Sequence, residues 1–318
     1  MKFIIVTPDR DYFAWQILVQ LTNLRRMGYE KNTHIIIGTE GPLKKNMGRI
    51  VNNRVFNCKF HVYQDDRTER NYRSSMRPYL LDKFFSENPN MYQETFMYLD
   101  PDVLFIKPMD FDKFTQDDIW YVSNTKSYID SKYIRSKGEE VLDKMCEIVG
   151  ISRDTVIAND DNAGGAQYIM KNVPYGFWND MYKISEKLYT EISELNKELI
   201  IVNRRTIEPE SNIKGYNPLQ IWCADMWVLL WLAWKYGKEV KIHPDLDFVW
   251  ANYKYSDIEK HYLYHNAGKT KDDARHFSKL AYPKSPFKQS IRLSSTSASL
   301  FYLKEIKRTE EKFPTLLW

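Results

Sequence analysis

The chain has 318 residues, 43% of them hydrophobic, and a formal net charge of +4 with a pI near 8.6. That supports one large or two small domains with a substantial core, and a mild basicity that suits a polyanionic partner without demanding one. Cys58, Cys146 and Cys223 lie far apart without a CxxC pair, which excludes a structural zinc site and predicts free thiols in a reducing compartment.

The opening "FIIVT" (3–7) is too short an apolar run for a signal peptide and reads as a first strand. "YFAWQILVQLTNLRRMG" then reads as a crossover helix closed by Gly28, leading to a second buried strand at 33–39. A third strand is expected at 58–66 and a helix at 75–87 with Pro78 in its first turn. "TFMYLDPDVLFIKP" reads as a strand broken by an acid pair, and 118–124 as another strand. This succession predicts a three-layer α/β domain with ligands at the carboxyl ends of its strands, where Asp9, Asp100 and Asp102 fall.

Beyond it, 126–160 reads as a charged helical insertion, "NAGGAQYIMKN" as a loop entering a strand, and 175–198 and 219–236 as helices. The tail from about 270 is rich in Lys, Arg and Ser, with a helix at 297–312. The division expected is a catalytic domain over 1–271, donor-binding to about 125 and acceptor-facing from 126, followed by a C-terminal extension over 272–318. No stretch approaches the roughly 20 apolar residues of a membrane span, so the protein is expected to be soluble and cytoplasmic, in the host cytoplasm if it is viral.

"YLDPDVLF" places Asp100 and Asp102 one proline apart at the end of an apolar run. Alternate residues of an extended segment share a face, so both carboxylates can converge on one divalent ion; otherwise Asp-Pro-Asp is a surface turn. "YHNAGKTK" supplies the frame His265-x-x-Gly268-x-x-Lys271. Its imidazole can complete a carboxylate metal site, its glycine allows close approach to a phosphate, and its lysine can neutralise one; alone it would be a polar loop. Asp225 is the lone acid of the apolar helix "ADMWVLLWLAW". It is either a helix-N-terminal charge or a carboxylate facing a substrate.

An Asp-x-Asp ending a core strand followed by a late HxxGxxK resembles the GT-A class of nucleotide-sugar glycosyltransferases. "TPDRDYFAWQ", "MRPYLLDKFF" and "YLDPDVLFIKPM" are similar to segments of the hydroxyproline O-arabinosyltransferase and peptidyl-serine galactosyltransferase branch, and the likeness spans about 3–271 in five patches. The chain departs from those enzymes in showing no secretory anchor and in carrying Asp100 at a position where they often have Glu.

The resemblance implies a GT-A-like mixed α/β sheet flanked by helices. It implies a Mn²⁺ or Mg²⁺ ion on Asp100, Asp102 and His265, with a UDP-sugar as donor. Gly268 and Lys271 would face the diphosphate. Thr7, Asp9 and Arg10 would surround base and ribose, and Arg77 would reach the phosphates or the sugar unless it is a plain surface arginine. Asn162, Gly164, Gly165 and Gln167 would lie beside the sugar unless Gly-Gly is only a turn. Asp225 would be the general base of an inverting reaction; in a retaining one, Asp225 or Gln167 would support the oxocarbenium-like state.

The acceptor expected is a hydroxylated cytosine in double-stranded DNA, with arabinose the favoured sugar, because phage enzymes similar to this branch glycosylate such bases. Arg73, Lys279, Lys284 and Lys288 are the expected phosphate anchors. Other readings are transfer to hydroxyproline or serine in a peptide, transfer to a glycan, a nucleotidyl or phosphoryl transferase, and a carbohydrate-binding protein without catalysis.

Overall fold

Strand β1 (Lys2–Pro8) runs into helix α1 (Asp11–Met27), which crosses over to strand β2 (Thr33–Thr39). Gly28 ends α1 at φ 80°, and the amides of Gly28 and Tyr29 turn back to the carbonyls of Arg25 and Leu24. Only glycine takes that left-handed backbone without strain, so the expected helix stop is a physical one. Helix α2 (Lys45–Asn52), strand β3 (Lys59–Gln64) and helix α3 (Met76–Glu87) follow. The sequence reading leaves α2 unassigned, because its buried stripe is only Met47 and Ile50.

The stretch expected as one broken strand is two strands in two different sheets. Strand β4 (Phe96–Leu99) lies in a seven-stranded sheet and β5 (Val103–Phe105) in a three-stranded one. The computed structural model describes residues 1–206, 216–267 and 275–318, the side chains of 204–206 excepted.

Strand β6 (Trp120–Ser123) follows, and the charged insertion is helical as expected, forming α4 (Lys126–Ile129), α5 (Ser131–Arg135), α6 (Glu139–Val149) and α7 (Arg153–Ala158). Strand β7 (Gly165–Met170), helix α8 (Phe177–Thr206) and helix α9 (Ala224–Lys235) come next. Three short strands that the sequence reading misses, β8 (Val240–Ile242), β9 (Phe248–Trp250) and β10 (Leu263–His265), precede helix α10 (Ser299–Lys312). Three residues are too few to display a two-residue period.

The large sheet has the order β3-β2-β1-β4-β7-β6-β8, and β7 alone runs against its neighbours. The fold is therefore a mixed α/β sheet flanked by helices. Alternate residues of β1 face opposite cores. Ile4 and Val6 pack with α3, α8 and α9, while Phe3 and Ile5 pack with α1, α10 and the small sheet. Residues of the C-terminal stretch join that second core through Phe277, Phe287, Tyr302 and Ile306. Trp15, Trp120, Trp178, Trp227 and Trp231 are fully buried, and truncation of any one to Ala would cost about 3–5 kcal/mol. Among the described residues no helix is long and apolar enough to cross a membrane.

Candidate metal and substrate site

The change of sheet between β4 and β5 makes Asp100-Pro101-Asp102 a tight turn, closed by the Val103 amide donating to the Asp100 carbonyl at 3.2 Å. Helix α1 clamps it from behind. Gln20 Nε2 donates to the carbonyls of Asp100 (2.8 Å) and Val103 (2.9 Å), and Asn23 exchanges two hydrogen bonds with the Phe105 backbone. Gln20 and Asn23 are buried among the apolar residues of α1. Buried amides need partners, so this was a legible signal of a rigid turn held against α1, and the sequence reading missed it.

The register of the small sheet supplies the third group. In the antiparallel β5–β10 pair His265 stands opposite Val103, next to the turn. His265 Nε2 lies 3.5 Å from Asp102 Oδ1 and 3.7 Å from Asp100 Oδ2, and one ligand atom from each of the three side chains falls within 4.8 Å of the others. Two carboxylate oxygens and an imidazole nitrogen are a donor set suited to Mn²⁺ or Mg²⁺. The ring is fixed from both sides: Trp250 stacks on it at 5.9 Å and 11°, and Gln167 Nε2 is 3.2 Å from its Nδ1. Ser123 Oγ donates to Gln167 Oε1 at 2.6 Å. Turning that amide over would let Oε1 accept the Nδ1 proton and Nε2 donate to Ser123, leaving Nε2 of the histidine free to ligate.

Each acid of the turn also holds a cation. Lys279 Nζ donates to Asp102 Oδ2, and Arg77 Nη1 donates to Asp100 Oδ1 at 2.6 Å. Burial pushes the Asp102 carboxyl up, but the Lys279 ammonium and His265 outweigh it and hold the group well below the usual carboxylate range. Burial likewise lowers Lys279, and Asp102 more than compensates. Arg77 reaches onward: its Nη2 donates to Asp225 Oδ2, while the Tyr72 hydroxyl donates to Asp225 Oδ1 at 2.5 Å. Burial, and then Asp225, push the Tyr72 phenol well above its ordinary value, so it stays protonated as the donor. One chain of contacts thus joins Tyr72, Asp225, Arg77 and the acid turn.

These groups line a cavity of about 1010 Å³ at the carboxyl ends of β1 and β4. Asp9, after β1, is 5% exposed; its Oδ2 accepts from the Lys44 amide at 2.7 Å, and its buried Oδ1 has no hydrogen-bond partner among the described residues. Arg10, Lys44, Arg70 and Arg73 also line the cavity, and none forms an ion pair among the described residues. Trp222, 63% exposed, and Leu280, 55% exposed, are apolar side chains on its wall. Ala166, at φ 69° beside a register shift between β6 and β7, lines it as well.

Of the residues expected from sequence, Asp9, Arg10, Arg73, Arg77, Asp100, Asp102, Asp225, His265 and Lys279 line this one cavity. Thr7 is fully buried, its hydroxyl directed to the Pro8 carbonyl, and lies outside the cavity lining. Gln167 is also fully buried, against His265 Nδ1, and lies outside the cavity lining. Asn162 accepts from the Ile242 amide. A Cβ on Gly164 would lie 2.5 Å from the Ser123 carbonyl, and one on Gly165 3.2 Å from the Tyr168 hydroxyl, so these glycines let strands and side chains close up. Lys279 donates to Asp102, and Lys284 and Lys288 are exposed outside the cavity. Gly268 and Lys271 lie outside the described residues. The sequence reading missed Tyr72, Arg70, Trp222 and Trp250, which sit in loops or short strands without a periodic signal.

No protein-family model and no curated protein matches the chain. Among solved structures it is similar to the galactosyltransferase LgtC in complex with donor and acceptor sugar analogues, at 10% identity over all of both chains and a TM-score of 0.46. It is similar to the bifunctional glycosyltransferase WbbM at 11% identity and a TM-score of 0.44, covering 96% of this chain and 51% of that one. Mouse xyloside xylosyltransferase 1 shares 10% identity over 86% of this chain and 99% of its own, with a TM-score of 0.38.

Proposed function

We propose that the protein is a metal-dependent glycosyltransferase that moves a sugar from a nucleotide donor, a UDP-sugar, to an acceptor hydroxyl. The observation that carries this is the convergence of Asp100, Asp102 and His265 on one wall of a cavity large enough for a nucleotide-sugar. These three residues would hold Mn²⁺ or Mg²⁺. A divalent ion there would neutralise the negative charge that develops on a departing diphosphate.

The chain's own groups divide the rest of the work. Asp9, which lines the cavity, would accept a hydrogen bond from the base or ribose. Gln167 would orient the His265 ring, with Ser123 holding the amide. Both oxygens of Asp225 are engaged, by Tyr72 and Arg77. That arrangement fixes the orientation of the carboxylate and suits a fixed negative charge supporting an oxocarbenium-like state. Gly268 and Lys271 belong to the diphosphate side of the same reading.

For the acceptor we favour a hydroxylated cytosine in double-stranded DNA, and arabinose as the sugar. Trp222 offers an exposed aromatic face on which a flipped base could stack. Arg10, Lys44, Arg70 and Arg73 line the cavity without an ion pair among the described residues and would meet the phosphates of a polyanion. Calorimetric titration of UDP with and without Mn²⁺ tests the donor side, and metal-independent or absent binding would overturn it. A screen of UDP-sugars against hydroxymethylcytosine DNA, hydroxyproline peptide and a glycan, read by mass spectrometry, tests the acceptor. Transfer to peptide or glycan with none to DNA would overturn that part alone.

A further inference from the structure

In this structure both acids of the turn already hold a cation. Asp102 is paired with Lys279, and Asp100 shares Arg77 with Asp225, so an incoming dication meets carboxylates that already hold cations. The pairings are built in. Asp102 is 2% exposed, so its charge has no water to rely on, and Lys279 sits on a segment tied to α1 by the Trp15 indole donating to the Tyr282 carbonyl at 3.1 Å. The Phe277 and Tyr282 rings, stacked at 5.1 Å and 4°, stiffen that segment on either side of the lysine. Arg77, by contrast, has a second acid, Asp225, to hold if Asp100 is taken from it. Lys279 forms no ion pair with a second acid among the described residues, so an ammonium displaced from Asp102 is left facing the cavity.

We propose that Lys279 is an internal counter-ion that couples metal binding to nucleotide binding: it holds Asp102 while the cavity is empty and passes to the diphosphate when a divalent ion takes the carboxylate. The inference rests on the glycosyltransferase reading for its diphosphate. A divalent ion alone has to compete with the ammonium for Asp102 and leaves that ammonium buried beside a dication, two unfavourable terms in a poorly hydrated site. A diphosphate relieves both, by giving the ammonium a new anion and the ion further oxygen ligands. Mn²⁺ and UDP therefore tighten each other's binding, and by linkage the factor is the same in both directions. Lysine suits this exchange because its charge is a compact point on a flexible stem.

The test is Lys279→Met, which keeps the stem and removes the charge, with Lys279→Arg as the charge-keeping control. Free Mn²⁺ is followed by electron paramagnetic resonance in titrations with and without saturating UDP. We expect Lys279→Met to bind Mn²⁺ alone about tenfold more tightly than the unaltered protein and to lose at least about tenfold of the coupling between Mn²⁺ and UDP, roughly 1.4 kcal/mol. Lys279→Arg retains most of the coupling. Because removal of the lysine strips Asp102 of its partner, thermal melting accompanies the titrations, and Mn²⁺ raises the melting temperature of Lys279→Met by more than that of the unaltered protein. If Mn²⁺ binds both proteins with equal affinity and equal coupling, or if UDP does not tighten Mn²⁺ binding to the unaltered protein, the role of Lys279 is overturned while the metal site stands. If neither protein binds Mn²⁺, the metal-dependent reading falls with it.

Discussion

The two walls of the cavity handle charge in opposite ways. At the acid turn, Asp100 and Asp102 are fixed by α1 and by the β5–β10 register, Asp102 paired with Lys279 and Asp100 with an Arg77 that it shares with Asp225. On the other wall, Arg70 and Arg73 come from the loop between β3 and α3, and they and the neighbouring Arg10 and Lys44 form no ion pair among the described residues. A ligand entering the first wall has to exchange partners with groups already satisfied. One approaching the second displaces no ion pair among the described residues. The first arrangement suits selective, coupled binding of an ion and a diphosphate; the second suits non-directional attraction of an extended anion.

Asp102→Asn should have the largest effect. It removes a charged oxygen from the donor set and leaves Lys279 buried without its acid, so kcat/KM should fall at least about 100-fold, roughly 2.7 kcal/mol of barrier, with the circular dichroism spectrum unchanged. Activity within about tenfold of the unaltered protein would show that the two walls do not differ in this way. Asp225→Asn comes next. It keeps the shape but weakens the link to Arg77 and Tyr72, and turnover should fall by about 10- to 100-fold while UDP affinity changes little. Loss of UDP affinity without loss of turnover would move Asp225 from the substrate to the donor scaffold.

Trp222→Ala should raise the acceptor KM by about tenfold, in line with roughly 1–3 kcal/mol for a stacked base, and leave donor binding unaltered. Arg73→Gln should weaken an anionic acceptor by only a few-fold, but it should flatten the salt dependence by about one ion, measured between 50 and 200 mM salt. Salt-independent binding would remove the polyanion from the account of that wall.

The smallest effect lies away from both walls and serves as a control. His34 on β2 and His61 on β3 stack at 5.2 Å, and burial, with the neighbouring ring second, pushes His34 down to about 4. The unfolded chain takes up a proton near pH 6.5 that the folded chain refuses until about 4. The contribution of this pair is therefore complete above about pH 6.5 and declines as the pH falls toward 4. His34→Gln should flatten the slope of melting temperature against pH in that window without altering the response to Mn²⁺.

Much of this was legible in the residues themselves. The βαβ start, the Gly28 stop, the helices at α3, α9 and α10, and the acid pair at a strand end follow from local chemistry: apolar periodicity, a left-handed cap, and the cost of burying carboxylates without partners. His265 could be linked to the acid pair by residue type and resemblance, because a metal site needs a third donor.

Tertiary structure alone decided which neighbours each of these residues would have. The split of 95–108 between two sheets, the three-residue strands, and the β5–β10 register that sets His265 beside Asp102 all depend on strand pairings between separate segments of the chain, which leave no local period. The same holds for Gln167. Its position in a strand was expected, but a register shift and the left-handed Ala166 beside it set it behind His265 and away from the cavity. Lys279 was visible as a cation in a basic tail. That it neutralises Asp102 is a property of the folded chain, because charge pairing across 177 positions of sequence is fixed by packing and desolvation rather than by composition.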